Sequence, residues 1–272
     1  MFSEEFMEKQ PFWSGNDATG RSVELLRRPE RIISLVPSQT ELLVDLGLGS
    51  RLVGRTRYCI HPRKKLADVA DVGGTKRVEL DKIKALKPDL ILAEKEENPQ
   101  EMVAELARLA PVYVTDVVSI PSAISMCSEL GKLVGLEAET LVRSIETAMN
   151  DVKNIASKSE RVLYLIWRKP WMAAGEGTFI HSCLEHIGFK NAVSSSRYPE
   201  LTEEIIVSLC PDRVFLSSEP FPFKENHLEE IRKILPRARV EFVDGELFSW
   251  YGSRMLKMPN YWRSLILKHA TM

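Results

Sequence analysis

The 272-residue chain has few of the residues most used for cross-linking and metal chemistry. Its four cysteines, Cys59, Cys127, Cys183 and Cys210, form no C-x-x-C and fall at no zinc spacing with a histidine, so they read as buried or semi-buried free thiols. There are five histidines, and only His61 lies near a loop suited to binding. His181 and His186 are five apart, a poor match to a helical i, i+4 metal pair, and with His227 and His269 they read as packing or solvent-exposed groups. A metal-ion receptor would need more of them, so no metal site is expected. Neither sign of charge dominates: 37 basic against 38 acidic residues leave −1, which excludes a general basic field for nucleic acid. No apolar run approaches the ~20 residues of a membrane span. The N-terminal "MFSEEFMEKQPFWSGND" shows no basic n-region or apolar h-region. The expected location is therefore the cytoplasm, or the periplasm or cell surface if the start is incomplete. There is no G-x-S-x-G, P-loop or G-x-G-x-x-G, and "GEGTF" at Gly175–Phe179 is too short for the last, so no catalytic residue is expected.

What is present is a repeat. "KALKPDLILAEKEENP" from Lys84 matches "VSLCPDRVFLSSEPFP" from Val207 at an offset of 123, Leu86, Pro88 and Asp89 falling on Leu209, Pro211 and Asp212. Around each copy, short apolar runs alternate with amphipathic stretches. Asp17–Gly20 is a turn and Arg21–Leu26 a strand, together a hairpin or edge ribbon. Arg31–Val36 and Leu90–Ala93 read as buried strands, and Arg51–Gly54, Val112–Thr115, Val162–Ile166 and Val240–Val243 as further strands, with helices between them. Ser38 and Glu41 form an S-x-x-E capping box. Such alternation implies mainly parallel sheets covered by helices. From Leu136 to Glu160 no Gly or Pro interrupts a helical apolar pattern, which predicts one helix of roughly 20 residues, about 30 Å long. The chain thus reads as α/β: two pseudo-symmetric lobes with mainly parallel sheets, residues 1–118 (with an N-terminal extension to about 16) and 159–272, joined by one long backbone helix within 119–158.

In open parallel sheets, ligands bind beyond the carboxyl ends of the strands. Those loops hold Ser38, Arg57, Tyr58 and Glu94 in the first lobe, and Trp167, Arg168, Trp171, Ser218, Glu219, Trp250, Tyr251 and Arg254 in the second. Three of the five tryptophans are among them. Aromatics beside arginines suit a large, flat, partly anionic ligand, and facing lobes would line one cleft. Lobe-core packing competes for each aromatic. A plain N-cap competes for Ser38, and a solvated acidic loop for Glu94–Glu97. In "FSWYGSR", an extended segment would point Trp250 and Tyr251 to opposite sides, so at least one of Phe248, Trp250 and Tyr251 should be exposed.

"RIISLVPSQTELLVDLG", "VGGTKRVELDKIKALKPDLILA" and "SLCPDRVFLSSEP", in that order, closely resemble the substrate-binding proteins of iron-complex and vitamin B12 ABC importers, over roughly Arg21 to Leu267. The resemblance implies a monomeric bilobed receptor holding cobalamin or another corrinoid, haem or a ferric siderophore between its lobes, with no covalent cofactor and with an ABC permease as partner. It implies corrin contacts from Tyr58, Trp167, Trp171 and Trp250, and permease docking through Asp81 and Glu204, again 123 apart. Helix-dipole stabilisation explains those two carboxylates equally. The alternative is a cytoplasmic enzyme or scavenging protein on the same fold, opposed by the missing nucleophile–base pair.

Overall fold

The computed structural model describes residues 10–156 and 160–267. They divide into two compact units, Met1–Asp116 with Ser125–Thr140, and Val117–Ile124 with Leu141–Met272.

The first unit opens with the expected hairpin, β1 (Trp13–Asn16) antiparallel to β2 (Ser22–Leu25). Asp17 closes its turn by accepting bonds from the Thr19 and Arg21 amides and the Thr19 hydroxyl. There follow β3 (Ile32–Ser34), α1 (Pro37–Asp45), β4 (Leu52–Arg55), β5 (Ala70–Asp71), α2 (Leu80–Leu86), β6 (Leu90–Glu94), α3 (Gln100–Leu106) and β7 (Val112–Thr115). The sheet order is β5-β4-β3-β6-β7, with every pair parallel. Strands β3, β6 and β7 are buried on both faces, hence their near-continuous apolar runs. Ile33, Ile91, Val112 and Val114 pack on Ile83 of α2 and on Met102, Val103 and Leu106 of α3.

The capping box is not formed. Helix α1 starts at Pro37, whose fixed φ suits the first helical position, so the N-cap is Val36 and Ser38 sits one residue inside.

The long helix also differs from expectation. A 15-residue helix α4 (Ile120–Val134) precedes the expected segment, and α5 covers only Glu139–Asn150, 12 residues. Gly135, at φ 72°, ends the first, and the chain leaves α5 through turns in which Asn154 is left-handed at φ 58°. Asn needs little side-chain cost for that conformation, so periodicity without Gly or Pro did not reveal the stop. Residues 157–159 lie outside the described residues, as does His269.

The second unit contains β8 (Arg161–Trp167), β9 (Trp171–Ala173), α6 (Phe179–Ile187), β10 (Lys190–Asn191), β11 (Glu200–Leu201), α7 (Glu203–Ser208), β12 (Arg213–Ser217), α8 (Glu225–Ile234), β13 (Arg239–Val243), α9 (Glu246–Ser249) and α10 (Met258–Leu267). Strands β8, β12 and β13 are parallel neighbours, β10 pairs with β8, and β9 and β11 add an antiparallel edge. Thus "WRKPW", read as an open loop, is the tip of a β8–β9 hairpin. Side-chain alternation along β8 serves two cores: Leu163 and Leu165 join Val214, Leu216 and Ile231, while Tyr164 on the other face packs edge-on to Phe215 and Phe248.

The sequence repeat has an atomic counterpart in each unit. In the first, Lys87 is left-handed at φ 47°, Asp89 accepts from the Arg31 amide at 2.8 Å, and the Arg31 guanidinium returns to the Leu86 carbonyl. In the second, Cys210 is left-handed at φ 43°, Asp212 accepts from the Arg161 amide at 2.7 Å, and Arg161 donates to the Leu209 carbonyl. The "L-x-P-D" phrase is therefore a clamp that ends a helix and fixes the start of two strands, written once per unit. It leaves Cys210 exposed, whereas Cys59, Cys127 and Cys183 are buried.

Candidate functional site

In the first unit a concave pocket of about 470 Å³ lies beyond β4 and β5, within the size range of small-molecule sites. Arg57, Tyr58, Lys76, Arg77 and Glu79 line it together with the Gly73–Gly74 backbone. Its wall is a tight turn: Gly74 N–H donates to Arg77 O at 2.7 Å, Gly73 bridges Val78, and Gly73 O accepts from the Arg57 amide at 2.9 Å. Only glycine fits at 73, where φ is 119° and a Cβ would meet Arg77 O at 2.8 Å. Tyr58, 56% exposed, keeps its ring close to Gly74, at van der Waals distance from where a Cβ would stand.

Glu94 is buried below this turn, with a local role. Its carboxylate accepts the Glu96 and Glu97 amides at 2.6 and 2.9 Å, and its own amide donates to Asn98 Oδ1. Asn98 in turn donates to Thr75 O at 2.8 Å, so Glu94 and Asn98 brace the pocket wall. Ser38 is buried in α1 and does not line the pocket.

The second unit gathers its candidates into two clusters. In one, Trp167 is 39% exposed and stands edge-on to Phe221, with ring centroids 5.5 Å apart. Phe221 meets Phe223, and Trp171, only 3% exposed, stacks on Phe223 at 6.2 Å. The Arg168 guanidinium lies 4.2 Å from the Trp171 ring centroid and is paired with Glu230, which raises its pKa. Trp171 is thus a core residue of this unit, with Arg168 covering it.

In the other cluster, Trp250 Nε1 donates to Glu219 Oε1 at 2.9 Å, and Ser249 Oγ donates to the same oxygen at 2.6 Å. Arg254, paired with Glu246, lies 4.6 Å over the Trp250 ring. Ser218 Oγ accepts from the Gly245 amide at 2.9 Å. The expected exposed aromatic is not found: Phe248, Trp250 and Tyr251 are all buried. The segment is not extended. It runs from α9 into a 3-10 turn at Gly252–Leu256, and that curvature packs Phe248 against Tyr164 and Tyr251 against Phe179.

Burial pushes the Glu219 carboxyl above its ordinary value of 4.5, further raised by Glu246 and Asp244, while the bonds from Ser249 and Trp250 pull it down. A carboxyl that binds its proton more tightly when folded contributes stability at acid pH, and this is lost as pH rises from the ordinary value through the raised one. Glu219→Gln keeps the accepting oxygen and cannot ionise. The stability gap between the variant and wild type should therefore widen in the variant's favour as pH rises from acid to neutral. Urea midpoints across that interval check this, and parallel curves would contradict it.

Sequence reasoning missed Lys76 and Arg77 as pocket residues, although the Gly73-Gly74 pair was a turn signal placing whatever followed it at a tip. Of the described histidines, His181 and His186 have a ring nitrogen hydrogen-bonded to Asn191 and to the Met149 carbonyl, and His227 Nδ1 accepts from the Lys224 amide. Among the described residues, no group of three or more His, Cys, Asp or Glu is placed to hold a metal ion. No described helix is long and apolar enough to cross a membrane.

Both units are α/β with mainly parallel sheets, and the first carries a pocket beyond its strand ends, where α/β sheets bind ligands. The chain belongs to the periplasmic binding protein family, whose model matches residues 32–238, a family of substrate-binding proteins and not of enzymes. It is 29% identical over 260 residues to the uncharacterized ABC transporter substrate-binding lipoprotein YvrC of Bacillus subtilis (strain 168), covering 89% of this chain and 81% of YvrC. It is 30% identical over 200 residues to the vitamin B12-binding protein of Yersinia pestis (strain Pestoides F), covering 69% of each. The fold matches that of a periplasmic heme-binding protein from Pseudomonas aeruginosa with a TM-score of 0.74 and 21% identity, covering 89% of this chain and 94% of the other.

Proposed function

We propose that the chain captures a large metal chelate, a corrinoid ahead of haem or a ferric siderophore, and delivers it to an ABC permease. The observation that carries this reading is the first unit's pocket, where the exposed Tyr58 ring stands among cationic side chains. An aromatic face that is already bare has little to rearrange when a flat ring covers it. The vitamin B12-binding relative, 30% identical over 200 residues, supports the corrinoid. Trp167, 39% exposed at the carboxyl end of β8, is the second unit's candidate for an aromatic ligand contact. Trp250 and Arg254 form a support around Glu219, and Tyr251 packs on Phe179. Recognition needs no covalent cofactor, and one copy of the chain suffices for it. Delivery at the outer face of a membrane is the reading supported by the lipoprotein relative.

Tyr58→Ala and Trp167→Ala should each weaken cyanocobalamin binding by about 1 kcal/mol or more, as loss of an aromatic anchor does. Both side chains are partly solvated, so melting temperatures should stay close to wild type. Calorimetric titration of purified wild type and variants tests this. Unchanged affinity in both would remove these rings from the site.

A further inference from the structure

Resting on that reading, we propose that the first unit's pocket selects its ligand by charge, taking a carboxylate- or phosphate-bearing edge through Arg57 and Arg77. The pocket contains three cationic side chains, Arg57, Lys76 and Arg77, and one carboxylate, Glu79. Glu79 is already matched, 2.8 Å from Lys82 Nζ outside the pocket. Lys76 Nζ donates to Glu96 O at 2.6 Å and lowers the pKa of the Glu97 carboxyl that burial raises, so its charge is partly spent. Arg57 and Arg77 differ from both. Among the described residues neither guanidinium has a hydrogen bond or ion pair, although the chain holds 38 acidic residues that could supply one.

The backbone beneath them is fixed. Arg57 N–H donates to Gly73 O at 2.9 Å, and Arg77 O accepts from Gly74 at 2.7 Å, so both arginines are anchored to the same turn and both line the pocket. Gly73 N–H is held by Asp71 Oδ1 at 2.8 Å, and Thr75 O by Asn98. The polar backbone groups of this turn are thus used to hold its shape, and the two planar, permanently charged forks remain for a ligand. A guanidinium binds a carboxylate or phosphate in bidentate fashion, and inside a concave pocket that field is less screened than on a convex surface. A flat chelate lying on Tyr58 would bring its rim to these forks. A rim of amides would use only part of their capacity, whereas a rim bearing a free acid would use it fully. The selected class is therefore a macrocycle or chelate with at least one ionised edge group.

The test compares dicyanocobinamide, which lacks the nucleotide-loop phosphodiester of cobalamin and whose rim groups are amides, with its monocarboxylic acid made by hydrolysing one propionamide, and with citrate and inorganic phosphate alone. Wild type should prefer the acid over the amide by about tenfold at low salt, the preference shrinking as KCl is raised. In the Arg57→Gln/Arg77→Gln double variant the preference should collapse to near one, and citrate binding should be lost. Equal binding of acid and amide by wild type, with citrate ignored, would overturn the charge selection and leave the corrinoid reading standing. Citrate binding that depends on the two arginines, with neither corrinoid bound, would uphold the charge selection and remove the corrinoid. Inorganic phosphate binding tighter than the ring acid would assign the arginines to a free anion and overturn the ring-edge assignment.

Discussion

Phe248→Ala should lower stability by about 3–5 kcal/mol, the usual cost of deleting a fully buried aromatic ring. Phe248 is wholly buried, and its ring meets Tyr164 at 5.3 Å, Trp262 at 5.7 Å, Phe215 at 6.0 Å and Tyr261 at 6.3 Å. Edge-on aromatic contacts are directional, so the neighbours cannot slide into the space without losing their own geometry. Trp262 is further pinned by its Nε1–H bond to the Leu247 carbonyl at 3.0 Å, which limits collapse from that side. Against a total of roughly 5–15 kcal/mol for a folded domain, the loss leaves the second unit marginal. A denaturant midpoint read from near-ultraviolet dichroism reports it. A shift under about 1 kcal/mol would mean that this aromatic cluster is not the unit's keystone.

The second large effect concerns delivery. On the proposal that the Asp81 and Glu204 carboxylates dock the permease, Asp81→Arg combined with Glu204→Arg should reduce ligand uptake by about 30-fold or more, the cost of reversing both charges. Both carboxylates are exposed in the first turns of α2 and α7, equivalent positions of the two units. The bond to Thr202 and the Glu204 amide hold the Glu204 carboxyl below its usual range, so it is charged at any working pH. Their helix-dipole role predicts a different result. Removing a carboxylate from an N-terminal turn costs only about 0.3–1 kcal/mol of stability and does nothing to transport. Uptake into vesicles carrying the cognate permease, measured beside ligand affinity, separates the two. Lost uptake with retained affinity supports docking, and retained uptake with a slightly lowered melting temperature supports the dipole.

Much of the fold was legible because β-branched runs and the L-x-P-D phrase are local signals. Val112–Thr115 was bounded to the residue, and Leu90–Ala93 was short by one. The end of α5 at Asn150 was not legible, because the turns that follow it include a left-handed Asn154, which periodicity does not register. Of the candidate site, Arg57 and Tyr58 were recognisable as residues at a strand's carboxyl end. Arg77 was not, because it reaches the pocket through a turn whose shape depends on Gly73 at φ 119°. Trp171, Trp250 and Tyr251 drew attention as aromatics on loops. They proved to be packed, because the chain folds back there into a hairpin and a 3-10 turn that give each ring neighbours. Aromatic type and position along the chain do not report such curvature, which depends on pairing with residues far away in sequence.

The most direct measurement is the stoichiometry and affinity of cyanocobalamin for the purified protein, by calorimetry with native mass spectrometry on the same sample. The account predicts one corrinoid per chain, saturable and weakened by Tyr58→Ala. Absence of any complex with cyanocobalamin, haem or a ferric siderophore at concentrations that saturate ordinary receptors would contradict it.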